Sequence, residues 1–353
     1  MIKDKSIFIK NIYYMLSYAF TVLQQGGYED IEKEEFDNIH NLFSAILAKG
    51  ISRQLKQGLY REYQMFREDT SVLHGKIELS GTIRNNLEKK RILSCEYDEL
   101  SEDNVLNRIL KTTALLLIRH GKVKAEYKSE LKKEMLYFSN VCEIDPAIIQ
   151  WNTLRFQRNN QSYQMLISLC QLILEGMLLT TEGGAYRLAS FIDGQHMSRL
   201  YEKFILEYYS KECPKIKASA SQIPWALDDG MSTLLPVMQS DIMLSKDNHV
   251  LIIDAKYYTN TLQTQYNVST IHSHNLYQIF TYVKNKDAEF ADLPHTVSGM
   301  LLYARTDEML QPDNEYYMSG NRVSVKTLDL NREFSEIRSQ LDSIVFDHFG
   351  NAI

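Results

Sequence analysis

The spacing of apolar residues alternates along the chain between a helical period and strand-like runs. Apolar side chains that recur every three or four residues lie on one face of a helix, whereas continuous or alternating apolar segments are typical of strands. For a helix over residues 104–119, Ser101 and Asn104 offer the side chains that cap an N-terminus. The full set of predicted helices covers residues 9–25, 36–57, 104–119, 127–138, 162–179, 197–209, 275–284 and 333–346.

Short segments rich in β-branched and apolar residues predict the strands. Residues 250–253 are all aliphatic, which is typical of a central strand buried on both faces. Glu68 and Asp69 predict a turn between the first two strands. The predicted strands cover residues 58–66, 72–79, 91–97, 216–223, 237–244, 250–256, 296–303 and 323–328.

The pattern breaks between residues 145 and 160, where Pro146 precedes a polar run. We place a domain boundary there, which gives an N-terminal domain over residues 1–157 and a C-terminal domain over residues 158–353. The first combines helices with a β-rich segment, and the second has the element order α-α-β-β-β-α-β. This order predicts an α+β or α/β fold class.

Composition narrows the class of protein. The chain has 353 residues and a formal net charge of −6, which argues against a stand-alone, non-specific DNA binder. Its four cysteines form no CxxC pair, which favours a reducing, cytoplasmic location over disulfides or a zinc site. No apolar run predicts a signal peptide or a membrane span, and no GxxxxGKS or GxxxxGKT motif predicts nucleoside triphosphate binding.

Acidic residues and a lysine lie on two predicted neighbouring strands. Asp241 belongs to the first, and the second ends in Asp254-Ala255-Lys256. Because side chains alternate along a strand, Asp254 and Lys256 point to the same face. Two carboxylates favour Mg²⁺, which takes oxygen ligands, and an ammonium group beside them orients water or neutralises phosphate charge. The pattern predicts a metal-dependent phosphodiesterase, and the alternative is an ordinary Asp–Lys ion pair at a surface strand end.

Two residues on predicted helices are further candidates for this site. Glu202 precedes the strands and is a candidate metal ligand, and Gln278, with Tyr282 one turn later, is a candidate for contact with a nucleic-acid backbone or with Lys256. The alternatives are a solvated glutamate on a charged helix face and a glutamine on a polar face. The histidines within residues 272–274 are interpreted as loop or capping residues.

At these residues the second half resembles a PD-(D/E)xK nuclease, whose restriction-endonuclease-like core is a mixed sheet flanked by helices. One departure from the broader nuclease pattern is Ser240 before Asp241, where a proline is usual. Further motif segments span nearly the full length of the chain, at residues 11–16, 102–104, 107–109, 234–238, 241–242, 254–258 and 272–278. Through these segments the chain resembles the McrC family, the nuclease subunit of McrBC-type modification-dependent restriction systems.

The resemblance implies an endonuclease that uses Mg²⁺, or Mn²⁺ in its place, to cut double-stranded DNA containing methylated cytosine. Asp241, Asp254 and the backbone carbonyl of Ala255 would bind the metal, with Glu202 as an added ligand. Lys256 and Gln278 would assist catalysis. The implied partner is a McrB-like AAA+ hexamer that binds GTP and recognises the modified base, and this chain would stimulate its GTP hydrolysis.

Two alternatives stay open at the level of the sequence. One is a nuclease-like domain without activity that serves only as a bridge and stimulates the motor. The other is an autonomous repair or RNA-processing nuclease of the same fold, which would cut without a motor. The β-rich segment over residues 58–97 is the expected contact with the motor, and no membrane partner is expected.

Overall fold

The protein forms two compact units that interleave along the chain. One comprises residues 1–42, 175–179 and 189–353, and the other comprises residues 43–174 and 180–188. Neither unit follows the predicted segments 1–157 and 158–353, because residues 1–42 group with the C-terminal part of the chain. The computed structural model describes residues 3–4, 7–24, 28–156, 160–180, 186–189, 192–258, 262–265, 268–290, 293–306 and 310–350.

The helices lie close to their predicted positions, and α2 and α4 are additions to the prediction. The predicted helix over residues 9–25 ends at Ala19 and is followed by a 3₁₀ turn over Thr21–Gln24. The helices are α1 (Ile9–Ala19), α2 (Glu29–Lys33), α3 (Ile39–Leu55), α4 (Leu79–Leu87), α5 (Val105–Arg119), α6 (Ala125–Met135), α7 (Gln161–Met177), α8 (Gly194–Glu212), α9 (Ser273–Ala288) and α10 (Phe334–Phe349).

The strands form one large sheet and several small ones. They are β1 (Lys3–Asp4), β2 (Ile7–Phe8), β3 (Glu62–Thr70), β4 (Lys76–Ile77), β5 (Leu93–Ser101), β6 (Leu178–Thr180), β7 (Tyr186–Leu188), β8 (Lys217–Ser219), β9 (Gln222–Ile223), β10 (Met238–Gln239), β11 (Ile242–Lys246), β12 (His249–Lys256), β13 (Leu262–Gln265), β14 (Val268–Ile271), β15 (Thr296–Ala304), β16 (Asn314–Met318) and β17 (Asn321–Leu328).

The large sheet has the strand order β16-β17-β15-β12-β11-β8. Strands β12, β15 and β17 run parallel, while β11 pairs antiparallel with β12 through a short hairpin turn and β16 pairs antiparallel with β17. Every residue from 250 to 255 is buried, which confirms a central strand covered on both faces. The sheet is mixed and helices flank it, as the fold-class prediction required.

Helix α9 packs closely on one face of the sheet. Its residues Ile279, Tyr282 and Val283 form a core with alternate residues of β12, β15 and β17. Gly299 of β15 permits this approach, because a Cβ atom there would lie 2.7 Å from Val283 Cγ2 and 2.8 Å from Ile279 Cγ1. The other face is covered by α8, which packs on β11 and β12, and by α10, which packs on β17.

The second unit corrects the predicted turn at Glu68 and Asp69. Strand β3 runs through both residues and pairs with β5 without interruption from Glu62↔Ser101 to Thr70↔Leu93. Residues 68 and 69 are polar because their side chains are exposed to solvent on a paired strand, and they form no turn. Backbone pairing with β5 therefore decides the conformation here against the local turn signal.

The predicted strand over residues 72–79 is wrong for most of its length. Only Lys76–Ile77 forms a strand, and α4 begins at Leu79. The carboxylate of Glu78 caps this helix by accepting hydrogen bonds from the backbone N–H groups of Ser80 and Gly81, at 3.0 and 2.5 Å. A glutamate is an unusual N-cap residue, and this explains why sequence signals did not predict the helix.

Asn104 confirms the predicted cap of α5, since its side chain accepts a hydrogen bond from Asn107 N. The amide groups of Asn104 and Asn107 both donate to Tyr60 O, at 2.9 Å. Asn107 also donates to Glu102 O at 2.7 Å. The segment over residues 102–109, which carried part of the family resemblance, is therefore a structural junction between β5, α5 and the start of β3.

Two further predicted strands are each divided. The strand over 216–223 divides into β8 and β9, and the strand over 237–244 divides into β10 and β11, because β9 and β10 pair with each other outside the large sheet. The sequence did not predict the edge strand β16 or the β13–β14 hairpin. Among the described helices, none has both the length and the apolar character required to cross a membrane.

Candidate active site

The hairpin of β11 and β12 places the two predicted aspartates opposite each other. The register pairs Ile242 with Ile253, so Asp241 and Asp254 are the next residues on the two strands. Asp241 Oδ2 accepts a hydrogen bond from Ala255 N at 3.0 Å. The preceding Ser240 is buried, and its backbone N–H and its hydroxyl both donate to Ser221 O at 3.0 Å. Serine hydrogen bonds therefore fix the segment where the broader nuclease pattern has a proline.

Asp254 is fully buried at the carboxyl end of β12. Lys256 Nζ lies 2.9 Å from Asp254 Oδ1, and the two side chains are 15% and 1% exposed. Among the described residues, no hydrogen bond of normal geometry reaches either carboxylate oxygen of Asp254. The alternative of an Asp–Lys ion pair is correct in that the pair exists. The pair is buried, however, whereas an ordinary structural ion pair would lie at the surface.

Burial dominates the electrostatics of the pair. It raises the pKa of Asp254 well above the usual range, Lys256 lowers it in part, and the neighbouring Asp241 raises it again. Burial lowers the pKa of Lys256, but the Asp254 carboxylate outweighs this effect and the pKa is raised overall. Two carboxylates beside one ammonium group leave a net negative site, which additional positive charge would stabilise.

Glu202 lies near this pair, on α8. Its carboxylate accepts a hydrogen bond from Ser198 Oγ at 3.1 Å. Burial and the charge of Asp241 raise the pKa of Glu202, and Lys256 lowers it. In the described part of the chain, no three His, Cys, Asp or Glu side chains come close enough to hold an ion together. Glu202 therefore acts on the aspartate pair electrostatically in this structure rather than as part of a closed ligand set.

Gln278 is not brought into contact with the pair. Its Nε2 donates to Tyr282 Oη one helical turn later, at 3.0 Å. Tyr282 itself packs in the core between α9 and the sheet. No described contact joins Gln278 to Asp254 or Lys256. The predicted shared helical face is correct, and a role in catalysis stays a prediction.

The donor set suits a hard divalent cation. Asp241 and Asp254 supply carboxylate oxygens at one point, and the buried Asp254 carboxylate is paired with the Lys256 ammonium group. Hard cations such as Mg²⁺ take oxygen ligands of this kind. The backbone N–H of Ala255 is bonded to Asp241, and its carbonyl stays a predicted ligand.

A polar network next to the lysine was not identified as part of the site from the sequence. Asn275 is buried in the first turn of α9, where its Oδ1 accepts from Tyr258 Oη at 3.2 Å and its Nδ2 donates to Tyr303 Oη at 2.9 Å. The sequence placed Asn275 at the start of a predicted helix and within a segment that carries the family resemblance, and the cap position of the helix is His272. The partners of Asn275 lie 17 and 28 residues away, and such pairings carry no local signal.

The fold and the site together define a mixed α/β protein. Its aspartate pair and its lysine lie at the carboxyl end of the central strand β12. The model of the family described as McrBC 5-methylcytosine restriction system component matches residues 4–304, and the chain belongs to this family. The resemblance to the McrC family is thereby confirmed.

One relative and two solved structures are similar to this chain. The Type IV methyl-directed restriction enzyme EcoKMcrBC of Escherichia coli K12 is 28% identical over 346 residues, which are 97% of each chain. A half-complex of Thermococcus gammatolerans McrB AAA+ hexamers with bound McrC matches 95% of this chain and 76% of its own, with a TM-score of 0.49 and 19% identity. The Thermococcus gammatolerans McrBC complex matches 58% and 59%, with a TM-score of 0.40 and 21% identity.

Proposed function

We propose that this chain is the nuclease subunit of a restriction complex and hydrolyses DNA phosphodiesters with a divalent metal, Mg²⁺ or Mn²⁺. The burial of Asp254 directly opposite Asp241, with Lys256 beside it, carries this proposal. A buried aspartate beside a second carboxylate, with only one lysine, is costly for a protein that only needs to fold. The arrangement is explained if the two aspartates bind a metal and the lysine takes part in catalysis.

Each residue has a defined part in the proposed reaction. Asp241 and Asp254 would hold the metal, with the Ala255 carbonyl as an additional oxygen ligand and Glu202 reaching it through a water. When bound, the metal supplies an activated water and stabilises charge on the phosphate. Lys256, fixed against Asp254, orients the attacking water or neutralises the charge that develops on phosphorus-bound oxygens. Gln278, half-buried in the second turn of α9, contacts the DNA backbone.

The substrate and the partner follow from family membership. We infer that the DNA is double-stranded and carries methylated cytosine, and that a McrB-like AAA+ hexamer binds GTP and recognises the modified base. Exposed apolar side chains in the segment over residues 58–97 support a partner surface in the second unit. Tyr63, Met65 and Val72 are 72%, 62% and 71% exposed, and β3 pairs on only one side. Exposed apolar patches of this kind mark protein interfaces.

The test is cleavage of methylated plasmid with the AAA+ partner, GTP and Mg²⁺, comparing the wild type with Asp254→Asn. The substitution removes one charge at nearly constant size, so we expect a loss of cleavage rate of about 100-fold or more. Asp247→Asn is the matched control. Asp247 lies in the turn of the same hairpin, is exposed, and has a positive φ that asparagine tolerates. It should cut normally.

The other outcomes separate the alternatives. Normal cleavage by Asp254→Asn would refute the site. Cleavage by the wild type without a partner would support an autonomous nuclease. Stimulation of GTP hydrolysis without any cutting would support the inactive bridge.

A further inference from the structure

A buried asparagine joins three elements beside Lys256. Asn275 is 1% exposed, and its amide accepts from Tyr258 Oη and donates to Tyr303 Oη. Tyr258 follows the end of β12, Tyr303 is on β15, and Asn275 is in the first turn of α9. One side chain therefore ties the carboxyl end of the central strand to its neighbour and to the helix that covers both.

The register places this network against the lysine. Lys256 pairs with Tyr303 in the parallel ladder, and paired residues of neighbouring strands point to the same side of a sheet. Tyr303 is fully buried, and its ring centroid lies 6.0 Å from that of Tyr258. Lys256 thus lies opposite Tyr303 across the ladder and two residues before Tyr258, and the hydroxyl groups of both tyrosines bond to Asn275.

The two hydrogen bonds of Asn275 restrict the orientation of Tyr258 and Tyr303. A buried amide is costly unless its donors and acceptors are paired, so Asn275 holds both tyrosines in one orientation. Burial raises the pKa of Tyr303 to about 12, so its hydroxyl stays neutral at the pH at which DNA is cleaved.

We propose that Asn275 and Tyr303 are positioning residues that hold Lys256 in its place against Asp254. The inference rests on the proposed nuclease function. Tyr303 is fully buried and Asn275 nearly so, so both act through Lys256 rather than on the DNA. Their loss should lower the rate of the chemical step and leave DNA binding and partner binding unchanged, because misplacement of a reacting group raises the barrier without weakening remote contacts.

The first experiment measures kcat and KM for methylated DNA with the AAA+ partner and GTP, for Tyr303→Phe, Asn275→Ala and the double variant. Each single variant should lower kcat about 10-fold with unchanged KM and unchanged GTP hydrolysis. The double variant should be no slower than Asn275→Ala, since both substitutions break one network. Tyr303→Phe keeps the buried ring, so it stays informative if Asn275→Ala does not fold.

Tyr209→Phe is the matched control. Tyr209 is also fully buried, and its hydroxyl donates to Leu341 O at 3.1 Å, on the side of α8 that faces α10. It should keep the wild-type kcat. Wild-type kcat in Tyr303→Phe, an equal loss in Tyr209→Phe, or multiplicative effects in the double variant would each overturn the proposal.

A second readout does not depend on cleavage. The rate at which an amine-specific reagent modifies Lys256, measured by mass spectrometry on the full chain, reports how firmly the ammonium group is held. We expect faster modification of Lys256 in Tyr303→Phe and no change at Lys246, at the opposite end of the hairpin. If the wild type never cuts DNA, the proposed function fails, while this labelling still tests the positioning: equal rates at Lys256 would reject it.

Discussion

At the scale of single residues, Asp254 and Lys256 depend on each other. Removal of one partner from a buried ion pair leaves an uncompensated charge, which is usually more harmful than loss of the pair as a whole. Asp254 avoids part of this cost by keeping a proton, because burial already raises its pKa. The stability of a variant without Lys256 therefore depends on pH.

We expect Lys256→Ala to lower the free energy of unfolding by about 3 kcal/mol at pH 8 and by clearly less at pH 5. Without the ammonium group, the folded pKa of Asp254 rises further above the unfolded value. The folded state then holds a proton that the unfolded state releases, and stability falls as pH increases. Urea unfolding at both pH values measures the difference. Lys246→Ala serves as the control and should show no such pH dependence.

A second titratable residue, His295, directly precedes β15, at the end of that strand far from the acidic pair. His295 Nε2 lies 3.0 Å from Asp287 Oδ1, and Nδ1 lies 2.6 Å from Leu293 O. Both ring nitrogens face oxygen acceptors, which only a protonated imidazole satisfies. Lys284 and Asn321 also contact Asp287. The bond to Leu293 O and the pairing with Asp287 raise the pKa of His295.

From this raised pKa we predict a stability contribution that is complete below pH 6.5, the ordinary histidine value. It should be lost as pH rises through the higher folded pKa, because the folded state then gives up the proton it held more tightly. Unfolding of the wild type and of His295→Asn between pH 5.5 and pH 8.5, at about one-unit steps, tests the sign. Parallel pH profiles for the two proteins would contradict the prediction.

At the scale of elements, the contact between α9 and β15 sets the position of the helix that carries Asn275 and Gln278. Gly299 leaves no room for a side chain under Val283 and Ile279. The contacting atoms belong to core side chains of a packed helix, so neither can move away freely. The position of α9 at the site therefore depends on Gly299, although this residue has no side chain.

Gly299→Ala should lower the free energy of unfolding by about 1–3 kcal/mol, because overpacking forces the helix or its side chains to shift. It should also slow cleavage, since α9 moves relative to β12. Gly194→Ala, at the first residue of α8, is the control, because an added Cβ atom there meets nothing within 4 Å. Thermal unfolding of both variants measures the effect, and equal midpoints would refute the packing argument.

At the scale of the whole molecule, two compact units carry different kinds of surface. One contains the central sheet and the acidic pair, and the other contains the three-stranded sheet with exposed apolar side chains on β3. If the acidic pair cleaves phosphodiesters as proposed, an acidic chain gains from a partner that holds the DNA. The proposed division of labour places DNA cleavage in the first unit and partner contact in the second.

We predict that Tyr63→Ser combined with Met65→Ser abolishes stimulation of the partner's GTP hydrolysis and motor-dependent DNA cleavage. Both side chains are exposed, so the stability of the chain should change by less than about 0.5 kcal/mol. Tyr137→Ser is the control, since Tyr137 is 61% exposed in the same unit but outside the sheet. Unchanged stimulation by the double variant would exclude this surface as the contact.

The sequence by itself determined the features that depend on neighbouring residues. The aliphatic run over residues 250–253 predicted a buried central strand, and the two-residue spacing of Asp254 and Lys256 predicted a shared face. Helical periodicity placed most helices within a few residues. The motifs around Asp254 and Gln278 indicated the family that the match over residues 4–304 then showed.

Only the tertiary structure decided how distant residues meet. It continued β3 through Glu68 and Asp69 by pairing with β5, and it grouped residues 1–42 with the C-terminal part of the chain. It set Asp241 opposite Asp254 through the hairpin register, and it joined Asn275 to Tyr258 and Tyr303. These arrangements depend on strand register, helix packing and burial, and each is fixed by contacts between residues far apart in the chain. Local propensity carries no information about such contacts.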